Sequence, residues 1–271
     1  MSKKIHPLLL PVILFVLSQK TAGKTVLSTL LADLLALNRA QFLAFQTDDQ
    51  RRLSHLIGNV VDLRPDPGLV AADGTLLMRA LTPLHTAGIK AATERTSILV
   101  DGGAHEVESF TNFLRDVGFA EDAAQWKLPI VTFVPFLPLD SESSRSAAFT
   151  VERMTEVVPG ARIVLVENRF GGDPTRIVAG SPADEEHQKL LRATKGMTRI
   201  VMPEIPREYW APWEGAGIRF LKALAMDPTE ASQVLHRSVA EVKISKSALA
   251  RFWRTMHQQL SEIVELPEGG R

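Results

Sequence analysis

The 271-residue chain contains no cysteine. That absence excludes disulfides, thiolate zinc sites, iron–sulfur clusters and cysteine nucleophiles together. Net charge is absent too, since 31 basic side chains balance 31 acidic ones. A uniformly basic coat for nucleic acid is thereby excluded, although a local patch is not. No apolar run reaches the about 20 residues that a membrane-spanning helix needs. The run from Leu8 to Leu17 is interrupted by Pro11, with Pro7 just before it. No small-residue cleavage site follows, as a secretory signal would require; Gln19-Lys20-Thr21-Ala22-Gly23-Lys24 follows instead. Repeats and low-complexity segments are also missing. His6, His55, His85, His105, His187, His236 and His257 adopt no metal-ligand spacing. Asp101, His105 and Ser109 fall four residues apart, but no nucleophile elbow accompanies them.

What is present is 45% apolar and 23% charged, with a mean hydropathy of +0.03. Such a composition belongs to a soluble globular chain, and the missing cysteines make the cytoplasm its expected compartment. Short β-branched apolar runs predict strands near 12–17, 41–46, 97–101, 129–134, 162–167 and 198–202. Helical patterns lie near 24–37, 105–117, 144–158 and 183–193. Strands apolar on both faces, alternating with helices, predict an α/β fold with a mostly parallel central sheet covered on each side. The stretch 58–75, with Pro65, Pro67, Gly68 and Gly74, reads as a long loop, either a mobile functional one or an irregular connection. From about 213 strand signals stop, so the expectation is a single domain over 1–271, with 213–271 a helical extension packed on it.

Directly after the first strand comes Ser18-Gln19-Lys20-Thr21-Ala22-Gly23-Lys24-Thr25, and then an amphipathic helix begins. A strand, a short loop ending Gly-Lys-Thr and a helix are the context of a phosphate-binding loop. Amides at the helix start point at an anion, and the helix dipole favours negative charge there. Lys24 would reach the terminal phosphates and the Thr25 hydroxyl would ligate Mg²⁺. Ser18 stands where the usual motif has its first glycine. Ser97-Ile98-Leu99-Val100-Asp101-Gly102-Gly103 is an apolar strand ending in an acid that can hold the water shell of Mg²⁺, or else cap a turn. Gln46-Thr47-Asp48-Asp49-Gln50 again puts acids at a strand's carboxyl end, so all three segments can converge on one crevice.

In this ordered set the chain resembles the ParA/MinD group of P-loop ATPases. That group's loop reads K-G-G-x-G-K-[ST], and Gln19 to Thr25 fill those seven positions. Asp48 resembles the second acid of a D-x-D segment, and Asp101 a Walker B acid. Ile163 to Arg169 is similar to a strand ending in Asn-Arg, and Val201 to Pro206 to a late strand with an Ile-Pro turn. The resemblance spans about residues 10–210. It implies ATP and Mg²⁺ as cofactors, with Gln19, Lys20, Thr21, Ala22, Gly23, Lys24, Thr25 and Val26 around the phosphates. It places Asn168 at adenine, with Arg169 and Pro203 in the same region. Lys24, Lys20 and Asp48 become the catalytic candidates, and Thr25, Asp48 and Asp101 the metal candidates. Two departures matter. The group's signature lysine falls at Gln19, with Lys20 one position later, and the first acid of D-x-D is Gln46. Binding is therefore expected ahead of hydrolysis, which would be slow or partner-dependent. The guanine-specific Asn-Lys-x-Asp motif does not occur, which favours adenine.

The resemblance implies a switch that dimerises or contacts DNA or a DNA-binding partner, in plasmid partition or conjugative transfer. A metabolic ligase or kinase similar to dethiobiotin synthetase, and a regulatory protein that has lost hydrolysis, are the alternatives. Residues 233–257 carry Arg237, Lys243, Lys246, Arg251 and Arg254 against Glu241 alone. Leu249, Phe252, Trp253, Met256, Leu260 and Ile263 repeat at helical spacing there, so the segment is either a packed amphipathic helix or a DNA surface. Three acids in Glu262 to Arg271 oppose a membrane-binding tail. Trp210 and Trp213, close to Pro206 and Pro212, suit a partner interface or a cover over the nucleotide edge.

Overall fold

A computed structural model describes residues 8–9, 11–47, 51–64, 75–103 and 106–265. Its strands are β1 (Leu8–Leu9), β2 (Ile13–Val16), β3 (Phe42–Gln46), β4 (Val60–Asp62), β5 (Ser97–Asp101), β6 (Ile130–Phe136), β7 (Arg162–Asn168), β8 (Thr198–Met202) and β9 (Val264–Glu265). The helices are α1 (Lys24–Leu37), α2 (Arg52–Ile57), α3 (Thr75–Glu94), α4 (Val107–Asp116), α5 (Phe119–Trp126), α6 (Ser141–Val157), α7 (Pro182–Ala193), α8 (Arg207–Gly215), α9 (Phe220–Ala225), α10 (Pro228–Leu235) and α11 (Val239–Ser261). Seven strands form one sheet in the order β4-β3-β5-β2-β6-β7-β8, with every pairing parallel. This is the α/β architecture expected. A separate short pair joins β1 to β9.

The alternation of β2 shows why the sheet is covered twice. Val12, Leu14 and Val16 enter one core cluster, and Ile13, Phe15 and Leu17 the other. On the first face α1 contributes Leu27, Leu30, Leu31, Leu34 and Leu35, joined by Trp213, Phe220, Phe252 and Met256. On the second, Leu84, Phe110, Phe113, Phe119 and Met154 close over the sheet. With apolar side chains needed on both faces, a strand in the middle of a parallel sheet reads as an unbroken apolar run.

Several segments differ from expectation. Within 58–75, residues 60–62 form the edge strand β4, while 65–74 lie outside the described residues. Helix α3 forms despite Pro83 in its interior. It is held by Leu81, Leu84, Ala87 and Ala91 in the core, and Gly88 lets it approach the Trp126 ring, where an added Cβ would lie 2.2 Å from Cζ3. Tertiary burial here outweighs a break in local propensity.

Two polar devices fasten the C-terminal helices. Asp33, fully buried on α1, accepts from the Leu221 amide at 2.9 Å and pairs with Arg219 Nε at 3.0 Å, which caps the start of α9. Desolvation pushes its carboxyl up to about 6, against the opposing pull of that amide and guanidinium. Gln259 on α11 accepts from Val201 N and donates to Val201 O, both at 2.8 Å. One side chain thus takes the place of a neighbouring strand along the outer edge of β8. Among the described residues no helix is long and apolar enough to cross a membrane.

Candidate functional site: the crevice at the strand ends

The chain reverses direction across the sheet at β2, because β3, β4 and β5 lie on one side of it and β6, β7 and β8 on the other. Open α/β sheets bind ligands at such a point, outside the carboxyl ends of the strands. Register places Val16 opposite both Asp101 and Phe133, and Gln46 opposite Asp101. The loop that leaves β2 therefore emerges beside Asp101.

Gly23 ends that loop in the left-handed region, at φ +86°, and stands as the N-cap of α1 without a side-chain cap. The contrast with α6 and α11 is direct: Asp140 accepts from the amides of Glu142 and Ser143, and Ser238 forms a capping box with Glu241. In α1 the amides of Thr25 and Val26 have no acceptor among the described residues. Unsatisfied amides and the helix dipole place about half a positive charge there. Lys24 is nearly buried, and its Nζ donates to the Lys20 carbonyl at 2.7 Å, across the curl of the loop. That bond holds the ammonium against the loop's own main chain. Thr25 is half-buried on the first turn of α1, and Thr21 is exposed.

Around this curl the other strand ends are tied together. Asp101 is 1% exposed, and its backbone carbonyl accepts from Thr47 N at 3.0 Å. Thr47 Oγ1 in turn accepts from Gly103 N. Gln46, which stands where the resembled group has an acid, is 1% exposed and fully engaged: Nε2 donates to Ser54 Oγ at 2.9 Å and Oε1 accepts from Ser54 N at 3.2 Å. It caps α2 from a distance, a role invisible in the local pattern. His55, the next residue of α2, hydrogen-bonds through Nε2 with the Gly215 carbonyl at 3.2 Å. Asp48, with its expected catalytic and metal roles, lies outside the described residues, as does His105.

Asn168 closes the loop from the far side. Its Nδ2 donates to Ala22 O at 3.0 Å, and its Oδ1 accepts from Phe170 N at 3.0 Å. Gly23 lies beneath it, since an added Cβ would stand 2.6 Å from Asn168 Nδ2 and 2.9 Å from Met202 Cε. Pro203 follows Met202, so the end of β8 also borders the loop. Arg169 is held by two carboxylates, with Nε 3.0 Å from Glu167 Oε1 and Nη1 2.6 Å from Asp173 Oδ2.

Helix α6 forms the remaining wall. The Gln19 amide donates to Ser146 Oγ at 3.1 Å, and Lys20 Nζ pairs with Glu142. That hydrogen bond and charge raise the lysine's affinity for its proton and lower the carboxyl of Glu142. Lys20 is thus held within its own chain.

In the basic segment, Leu249, Phe252, Met256, Leu260 and Ile263 are buried, so the apolar stripe packs on the body of the protein. Arg237 pairs with Glu241, and Lys246 Nζ donates to the Met226 carbonyl. Lys243, Arg251 and Arg254 are exposed. The two tryptophans expected at an interface or over the nucleotide are core residues instead. Trp213 is fully buried with Nε1 3.0 Å from Ser245 Oγ, and Trp210 stacks on Phe220 at 4.1 Å. Their flanking prolines, Pro206 and Pro212, shape a short helix rather than a surface loop.

No family model and no curated protein matches the chain. Among solved structures, the ATP complex of a McdA variant from Cyanothece matches at 13% identity, covering 88% of this chain and 96% of that one, with a TM-score of 0.46. Apo McdA from the same source matches at 14% identity over 86% and 98%, with a TM-score of 0.47. The MinD cell division protein of Aquifex aeolicus matches at 16% identity over 86% and 96%, with a TM-score of 0.45.

Proposed function

We propose that the chain is an ATP-binding molecular switch of the ParA/MinD type, in which slow or partner-stimulated hydrolysis controls dimerisation and contact with DNA or a DNA-binding protein. The observation that carries the reading is the uncapped start of α1, with Gly23 in the left-handed region and Lys24 Nζ folded onto Lys20 O. Backbone amides and a helix dipole at the start of α1, with the Lys24 ammonium held on the same loop, suit the terminal phosphates of a nucleotide. Thr25 and Asp101 would hold Mg²⁺, which on binding would neutralise charge between the phosphates. The oxygen donors of a hydroxyl and a carboxylate fit that hard cation. Asp48 follows β3, whose end is tied to Asp101, and is the residue proposed to position the attacking water. Lys243, Arg251 and Arg254 supply the exposed charge proposed for DNA phosphates.

A reading in which hydrolysis has been lost is favoured by one observation. Gln46 is neutral and committed to Ser54, so it supplies no second acid near the reacting phosphate.

The test is thermal unfolding with and without Mg-ATP. A ligand at a hundredfold excess over Kd stabilises the native state by about 2.7 kcal/mol. A rise in Tm that is lost in Lys24→Ala is expected. An unchanged Tm at millimolar Mg-ATP would end the phosphate-loop reading. Phosphate release stimulated by DNA but by no small molecule would separate the switch from a metabolic ligase or kinase.

A further inference from the structure

The sequence has 12 phenylalanines, 4 tryptophans and 1 tyrosine, and of these Phe170 is the single exposed side chain, at 53%. Every other ring is buried or half-buried, so this protein has room to hide aromatic surface and leaves one ring in water. The ring sits in the 3₁₀ turn Arg169–Gly171, immediately beyond β7. Its backbone is not free to wander, because its amide is held by Asn168 Oδ1 while the other end of the same amide group reaches Ala22 O in the phosphate loop, each at 3.0 Å. One side chain therefore sets the distance between the loop and Phe170. A nucleotide separates its base from its phosphates by a single sugar, so a base-binding surface must lie beside the loop and not within it.

The two residues that precede Phe170 are already engaged. Both polar groups of Asn168 are spent on main-chain partners, and the Arg169 guanidinium is gripped by Glu167 and Asp173. Neither is available to read the edge of a base. What the turn still offers is an apolar face. We infer that Phe170 receives the purine ring of the nucleotide on that face, and that the site accepts adenine and guanine nearly alike because neither Asn168 nor Arg169 is left to read the base edge. This rests on the phosphate-loop reading above, and departs from what the family resemblance implies in taking the base by stacking on Phe170 in place of contact with Asn168. Stacking is tolerant in this way because every base has a π-face.

Calorimetric titration of the whole protein with Mg-ATP, Mg-GTP and Mg-tripolyphosphate tests the inference. Phe170→Ala should weaken both nucleotides between about fivefold and about a hundredfold, and leave tripolyphosphate within about twofold. Phe170→Trp should keep nucleotide affinity, and the wild-type protein should bind ATP and GTP within about tenfold of each other. Equal loss of all three ligands in Phe170→Ala, or no loss of either nucleotide, overturns the inference. A strong preference for one purine overturns it too, as does intact binding with loss of self-association, which would make the ring a partner surface. Lys24→Ala separates the two levels: if wild type and Lys24→Ala bind tripolyphosphate alike, the phosphate-loop reading fails, whatever Phe170 does.

Discussion

Replacing Gly23 by alanine should disable the loop by a route that a second glycine isolates. Gly23 and Gly196 share φ +86°, but an added Cβ at Gly196 meets nothing within 4 Å, whereas at Gly23 it would lie 2.6 Å from Asn168 Nδ2 and 2.9 Å from Met202 Cε. Forcing an alanine into the left-handed region costs about 1–2 kcal/mol at either position. The Met202 methyl is the flexible end of its chain and can swing away. Asn168 cannot move without giving up its hydrogen bond to Ala22 O, and leaving a buried polar group unpaired costs about 1–3 kcal/mol. Gly23→Ala should therefore lose roughly 2–5 kcal/mol, and Gly196→Ala only the strain. At about 2–4 °C per kcal/mol for a chain near this size, the two midpoints should separate by several degrees in calorimetric melts. Mg-ATP should raise the Tm of Gly196→Ala as it does the wild type, and should fail to raise that of Gly23→Ala. Equal destabilisation by the two substitutions would show that Asn168 does not press on the loop. A normal ATP response in Gly23→Ala would refute the role given to the left-handed cap.

Asp33 predicts a pH dependence of the opposite sign to that of an ordinary salt-bridged acid. Its folded-state value of about 6 lies above the 3.8 of the free side chain, so the folded chain holds the proton more tightly. The associated stability is full below pH 4 and is lost as the pH rises to about 6, for a total of about 3 kcal/mol. The side-chain carbonyl of the Asp33→Asn variant would still accept from Leu221 N, so urea midpoints of that variant minus wild type should climb between pH 4 and 6; a flat difference would contradict the burial argument. Gln259→Ala would open both main-chain groups of Val201 on the outer edge of β8, costing about 1–3 kcal/mol. Light scattering during heating should show earlier, concentration-dependent association. Unchanged scattering would mean that the edge is protected in another way.

The central strands were legible because a parallel strand buried on both faces leaves little choice of residue: Ser97–Asp101 falls where the apolar run predicts it, and β2 lies within 12–17. Helix α1 was marked by leucines at helical spacing after Gly-Lys-Thr. The losses have physical causes. Helix α3 contains Pro83 and Gly88, and its burial against Trp126 comes from a segment some 40 residues away. Strand β4 has only three residues, with Val61 exposed, so it carries neither alternation nor an apolar run. Gln46 looked like a missing acid because its partner, Ser54, is chosen by the fold and not by spacing. Asn168 stands out at the end of its strand, but its engagement with Ala22 depends on a contact across 146 residues. Asp33 did carry a signal, an isolated acid between Leu31 and Leu34, whose meaning needed the distant Arg219.

Two lines of contact leave the crevice on one face of the sheet and end at the same corner. Helix α1 is pinned through Asp33 to Arg219 and Leu221, and helix α2 touches Gly215 through His55. Trp213, two residues before Gly215, donates its indole N–H to Ser245 Oγ, and Trp210 stacks on Phe220. Two of the protein's four tryptophans thus lie in the same core cluster as α1, close to the residues that α1 and α2 contact. A ligand that shifts α1 or α2 should therefore change tryptophan emission, and an unlabelled fluorescence titration with Mg-ATP would check it.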